Sequence, residues 1–273
     1  MLGLTDEEID DIFKGIYSGK INPENLPENL YASIAEKLKE GVYKGYGGSL
    51  KSIESSLGYG SAPSELLKNL RENIYLFAGA KTFHQMEDMR GLLTENGKVL
   101  TYSEFKKKAQ ETYKLYNETW MESEYNTAIG QAESARMWAD IEQDKELFPF
   151  LRYIAVMDLN TSTICRPLND IILPVDDKFW STFMPLNHYN CRCVVEKLEK
   201  GDAVITHKDK VSAAGNEVKS KMNDAFKMNP GKTGEVFGKE HPYFKDVPDE
   251  YKDLASDNFN LPIPEIKKVN RKK

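Results

Sequence analysis

The stretch "FLRYIAVMDLN", residues 150–160, is where the hydrophobic period of this chain changes. Leu151, Tyr153 and Ala155 alternate with Arg152, Ile154 and Val156, and the run stops at Asp158. A two-residue period sends successive side chains to opposite faces, so a β-strand is expected. Upstream, apolar residues recur at three- and four-residue intervals, the spacing of one helix face. The switch decides the fold class: α+β, with a largely helical N-terminal half containing a long helix, then a small α+β module, then an extended C-terminal arm.

Reading backwards, the helices announce their own starts. "LTDEEIDDIFKGIYSG" sets Thr5 and Glu8 in capping-box spacing and Ile9, Ile12, Phe13 and Ile16 on one face, ending near Gly19. "PENLYASIAEKLKEGVYKGY" repeats the pattern through Leu30, Ile34, Leu38 and Val42 until a run of glycines breaks it. A Gly/Ser-rich link at 45–64 follows, with Ser64 the expected cap of a helix carrying Leu66, Leu67, Leu70, Ile74, Phe77 and Ala78. "TENGKV" then signals a turn. From Thr101, with Glu104 three residues on, a pattern runs to Trp138 without a proline before Pro149. Unbroken, about 45 residues would make a rod of roughly 65 Å, and Gly130 is the expected bend. The Leu66–Leu93 helix is its natural partner.

Reading forwards, "IILPV" (171–175) and "CRCVVEKL" (191–198) are two further strands, with helical turns near "TSTICRPLND" and "DDKFWSTF". "KVSAAGNEVKSKMNDAFKM" is expected as one more helix, with Val211, Val218, Met222 and Phe226 on a face. The Gly/Pro-rich remainder reads as the arm. The organisation is therefore 1–60, N-terminal helices and link; 61–149, a long-helix hairpin; 150–200, the small module; and 201–273, a helix and arm with a basic tail.

Composition narrows the function classes. With 40% hydrophobic and 29% charged residues over 273 positions, a folded, water-exposed protein is expected rather than a disordered one. No run of roughly 18 apolar residues exists, and the acidic N-terminus lacks the pattern of a signal peptide, so no membrane partner is expected. A net charge of -6 argues against DNA binding by the body of the molecule. The exception is "EIKKVNRKK", where Lys267, Lys268, Arg271, Lys272 and Lys273 outnumber Glu265 and offer a local contact for DNA.

Three cysteines in a chain expected in the cytosol make a disulfide framework a poor reading. Cys165, His188, Cys191 and Cys193 offer the thiolate and imidazole donors of a structural zinc site, the one cofactor the sequence suggests. A thiol-containing turn held by hydrogen bonds is the other reading, because Cys-x-Cys is tighter than the usual zinc knuckle. A Cys–His nucleophile with Asn187 or Asn190, or a metal nuclease, would make the chain a hydrolase; those partners ordinarily come from separate parts of a chain. Asp158 is expected to cap the following turn, and Arg166 and Arg192 to pair with Asp158 or Asp170. "NPGKTG" lacks the first glycine and the strand of a phosphate loop.

A strand ending in Asp158, then Thr161, Thr163 and Cys165 in a turn, then Leu168 and Asn169, then Pro185, His188, Asn190, Cys191, Arg192 and Cys193 resembles the head morphogenesis domain of the phage Mu F-like minor capsid proteins. "ESEYNTAIGQAESARMWAD" is similar to the helix that precedes that domain, so the resemblance covers about 100–200. The chain departs from the family at Ser162, where many members carry a cysteine, and at Tyr189, where proline is usual. The resemblance implies a non-enzymatic virion component made in the bacterial host cytoplasm. It would be present in few copies, with portal and capsid proteins as partners, and would act in head assembly or in DNA packaging or ejection.

Overall fold

The computed structural model describes residues 2–48 and 62–265. Most of the Gly/Ser-rich link and the basic residues of the tail lie outside them. Two compact units form from separated stretches: 2–39, 71–122 and 242–265 make the first, and 40–48, 62–70 and 123–241 the second.

In the first unit, α1 (Asp6–Tyr17) begins with the expected capping box: Glu8 N donates to Thr5 Oγ1 at 3.2 Å and Thr5 N to Glu8 Oε2 at 2.8 Å. Ile12, Phe13 and Ile16 are buried, and Gly19, at φ 75°, turns the chain away. α2 spans Glu28–Gly45 and α3 spans Ala62–Gly91. Ser64 is therefore inside α3 rather than its cap. Pro63 explains the earlier start, since its fixed φ is already helical and the first turn needs no donor from it.

A hairpin of β1 (Thr94–Glu95) and β2 (Lys98–Val99) turns through Asn96 and Gly97, both at positive φ, the geometry that Asn-Gly tolerates best. α4 (Tyr102–Lys114) opens on a second capping box, Thr101 N donating to Glu104 Oε2 at 2.9 Å. Replacing Thr101 by alanine is expected to cost about 0.5–2 kcal/mol in denaturant unfolding, and serine to restore most of it.

The long helical pattern is interrupted at Leu115–Trp120, a π-helical stretch, before α5 (Met121–Asp144) resumes. The irregularity is thus not at Gly130. The carbonyl of Tyr116 accepts a 2.7 Å bond from buried Lys81 Nζ, and Tyr116 donates its hydroxyl proton to Asp88 Oδ2 at 2.7 Å. Gly130 has a packing role instead: a Cβ there would lie 2.6 Å from Leu186 Cδ1. The C-terminal segment of this first unit proceeds by short turns, fixed where buried Asn258 donates to Leu261 O at 3.0 Å and Phe259 stacks on Phe83 at 4.7 Å.

In the second unit, the end of α2 lies directly on α5, with Gly41 facing Tyr125 and Gly45 facing the backbone of Ile129. Beyond α5, β3 (Phe150–Ile154), β4 (Ile172–Pro174) and β5 (Val194–Leu198) form an antiparallel sheet in the order β4-β3-β5. Leu151 stands opposite Leu173 on one side and Lys197 on the other. Its two-residue period holds: Leu151 and Tyr153 are buried, while Arg152 pairs outside with Glu196 at 3.1 Å. α6 (Trp180–Phe183) and α7 (Lys208–Lys219) cover the sheet's core with Trp180, Phe183, Ala214 and Val218. α7 stops before the end of the expected segment because Asn223 caps a separate turn, Ala225 N donating to its Oδ1 at 2.9 Å; Met222 and Phe226 still reach the core.

Candidate metal centre

Two loops of the second unit meet beside β3. The first follows β3, which ends at Ile154 rather than at Asp158, and turns where the Asp158 carboxylate accepts from Asn160 N at 2.9 Å in an Asx turn. Ser162 Oγ then accepts from Cys165 N at 3.1 Å, which turns the Cys165 side chain inward, 2% exposed. The second loop follows α6. Buried Asn187 donates to Tyr153 Oη at 2.8 Å and to Phe183 O at 3.3 Å, fixing its start on the sheet. Cys191 N donates to His188 O at 3.2 Å, and Asn190 takes a positive φ of 57° to complete the turn.

These turns bring together residues that are 23 and 26 positions apart. Cys165 Sγ is 3.1 Å from His188 Nε2 and 3.6 Å from Cys191 Sγ, and the three ligand atoms lie within 4.8 Å of one another. Cys193 is buried with its thiol beside those of Cys165 and Cys191, but it stands outside that three-atom group. All three cysteines are free thiols. Of the four residues the sequence nominated, three form the cluster and the fourth borders it.

His188 Nδ1 is 2.7 Å from Tyr189 O, and a carbonyl only accepts, so Nδ1 carries the proton and Nε2 points at the sulfurs. Ser162 Oγ also reaches Nε2, at 2.9 Å. Tyr153 donates its hydroxyl proton to Cys165 Sγ at 3.6 Å. The electrostatics follow from this packing. Neighbouring thiols, Cys191 first, hold the Cys165 thiol well below its ordinary range, with His188 adding to the effect. The facing Cys165 sulfur pushes His188 up to about 10, and the same neighbours drive Cys193 upwards. The cluster thus sets thiol and imidazole donors against one another, the groups that a metal ion binds in their deprotonated forms.

Tyr153 and Ser162 are the members that residue type did not nominate. Tyr153 was legible only as an inward strand position, and Ser162 only as a departure from the cysteine of similar proteins. Arg192 closes the outside of the corner with a bidentate pair to Asp158, both bonds 2.8 Å, while Arg166 donates to Asp158 O at 3.2 Å. Arg192 holds the Asp158 carboxyl at about 2. Because this lies below the roughly 3.9 of an unfolded Asp, the pair contributes above that pH and is lost as pH falls towards 2. A carboxyl NMR titration should find Asp158 near its depressed value, and Arg192→Ala should return it towards the ordinary range. Lys232, in the segment that resembled a phosphate loop, donates to Ser181 Oγ at 3.2 Å and lies over the Trp138 ring, a packing role.

Fold and cluster together define the class: a largely helical protein bearing a small antiparallel module whose loops meet at a Cys–His corner. The family described as "Phage Mu protein F like protein" matches residues 50–196, more than half of the chain, and the chain belongs to that family. It is 36% identical over 74 residues to the provisionally named capsid assembly protein F of Escherichia phage Mu, a stretch covering 27% of this chain and 17% of the relative. It is 30% identical over 135 residues to the Mu-like prophage FluMu F protein of Haemophilus influenzae, covering 50% of this chain and 31% of the relative. The matched stretches thus span less than a third of either relative. No solved structure matches.

Proposed function

We propose that this chain is a structural component of a phage head, present in few copies beside the portal, that acts in head assembly or in DNA packaging or ejection. One observation carries the reading: the family match contains α5, β3, β4 and the Cys–His corner and ends within β5. The relative from phage Mu is named for capsid assembly, which supports capsid proteins as partners.

A non-catalytic role is the reading the corner favours. A thiol hydrolase needs its sulfur open to a substrate carbonyl, and Cys165 is buried with Tyr153, His188 and Cys191 around it. Bidentate and buried hydrogen bonds of this kind fix geometry, as an assembly module requires. The test is genetic and biochemical. Deleting the gene from its phage should yield aberrant or uninfectious heads, and tagged protein should co-purify with portal and capsid proteins. Particles of normal composition and infectivity without it would sink the reading. The basic tail at 267–273, outside the described residues, is proposed to touch packaged DNA; its removal should abolish any salt-sensitive DNA binding by the full chain.

A further inference from the structure

We propose that the module binds one zinc ion through Cys165 Sγ, His188 Nε2 and Cys191 Sγ, with Cys193 as the fourth ligand, and that this ion ties the Asp158–Cys165 loop to the Asn187–Cys193 loop. The inference is independent of the phage assignment, because it rests on donor chemistry and distances.

The first argument is fit. In a tetrahedral site with Zn–S near 2.3 Å and Zn–N near 2.0–2.1 Å, sulfurs stand roughly 3.8 Å apart and a sulfur and a nitrogen roughly 3.6 Å apart. The corner presents 3.6 Å between Cys165 and Cys191 and 3.1 Å between Cys165 and His188, each within about half an ångström of those separations. A disulfide would need about 2.0 Å.

The second argument is the surround. A metal-bound histidine gives its other ring N–H to a carbonyl or carboxylate, which fixes the tautomer and aims the ligand nitrogen. His188 already does so, with Nδ1 on Tyr189 O. Tyr153 likewise donates to Cys165 Sγ and is itself held by Asn187, so the sulfur ligand is oriented from behind. Thiolate and imidazole donors select zinc over calcium or magnesium, which take oxygen.

The third argument concerns which ligand closes the set. Cys193 is buried beside the cluster, outside the three atoms that lie within 4.8 Å of one another, so the ion would draw its thiol in as the last donor. Ser162 Oγ is also near, but it already accepts from Cys165 N, and a neutral hydroxyl is a poor zinc ligand beside a thiol. A Cys3His set with no open position is a structural site.

The deciding experiment uses the full chain, purified without chelator. Elemental analysis should find about one zinc per chain, and a mercurial that modifies the three thiols should release it in step. Cobalt-substituted protein should show tetrahedral d–d bands and thiolate charge transfer, which Cys193→Ser should lower by about a third. Cys165→Ser and His188→Ala should each reduce bound zinc by at least about tenfold. A folded wild-type chain that carries no zinc and takes up none when the metal is supplied would overturn the proposal. Unchanged charge transfer in Cys193→Ser would overturn the fourth ligand.

Discussion

Replacing Trp180 by alanine should lower the stability of the second unit by about 3–5 kcal/mol, the range for a fully buried large aromatic. Trp180 is 0% exposed in the core that backs the sheet. Its ring stands edge-on to Phe179 at 5.0 Å, and its Nε1 donates to Pro174 O at 3.0 Å, joining α6 to β4. Truncation removes the apolar contact, opens a cavity and leaves that carbonyl short of a donor. Against a typical domain stability of 5–15 kcal/mol, the loss amounts to a large fraction, so the module should open well before the rest of the chain. Hydrogen exchange across β3, β4 and β5 would show the effect locally. Trp180→Phe should recover much of the loss, and an exchange pattern unchanged in Trp180→Ala would refute the packing.

Gly45→Ala should destabilise by about 2–3 kcal/mol, although the same change in an ordinary helix stabilises by up to about 1. A Cβ on Gly45 would overlap the carbonyl oxygen of Ile129 and lie 2.8 Å from its carbonyl carbon. These are backbone atoms of α5, so no rotamer change can relieve the contact and the two helices must separate. Gly91, at the end of α3, is the control: nothing lies within 4 Å of its would-be Cβ, and Gly91→Ala should be neutral or stabilising by a few tenths of a kcal/mol to about 1. Opposite signs in parallel denaturant melts are the expected result. A stabilising Gly45→Ala would mean that α2 and α5 do not meet there.

Much of the secondary structure was legible because its causes are local. Both capping boxes, the Asn-Gly turn and the alternation of β3 depend on residues at most a few positions apart. The start of α3 lies ahead of Ser64, although serine invites a cap, because Pro63 already suits the first turn. Gly130 is no bend, although glycine weakens a helix; its missing Cβ accommodates Leu186. The true irregularity, at Leu115–Trp120, coincides with the Tyr116 carbonyl that buried Lys81 claims, a contact that spans 35 residues and leaves no local pattern.

By itself, the sequence determined the fold class, most elements of the small module and the candidate donors at 165, 188, 191 and 193, since period, caps and residue chemistry are properties of short stretches. Only the tertiary structure decided that three of those donors converge within 4.8 Å, that Tyr153 and Ser162 join them, and that each unit is assembled from separated segments. The reason is physical. Bringing the loop at Cys165 to the turn at His188 depends on Asn187 finding Tyr153 and on the buried faces of β3, α6 and α7 finding each other, interactions whose energy appears only when distant parts of the chain have been brought together.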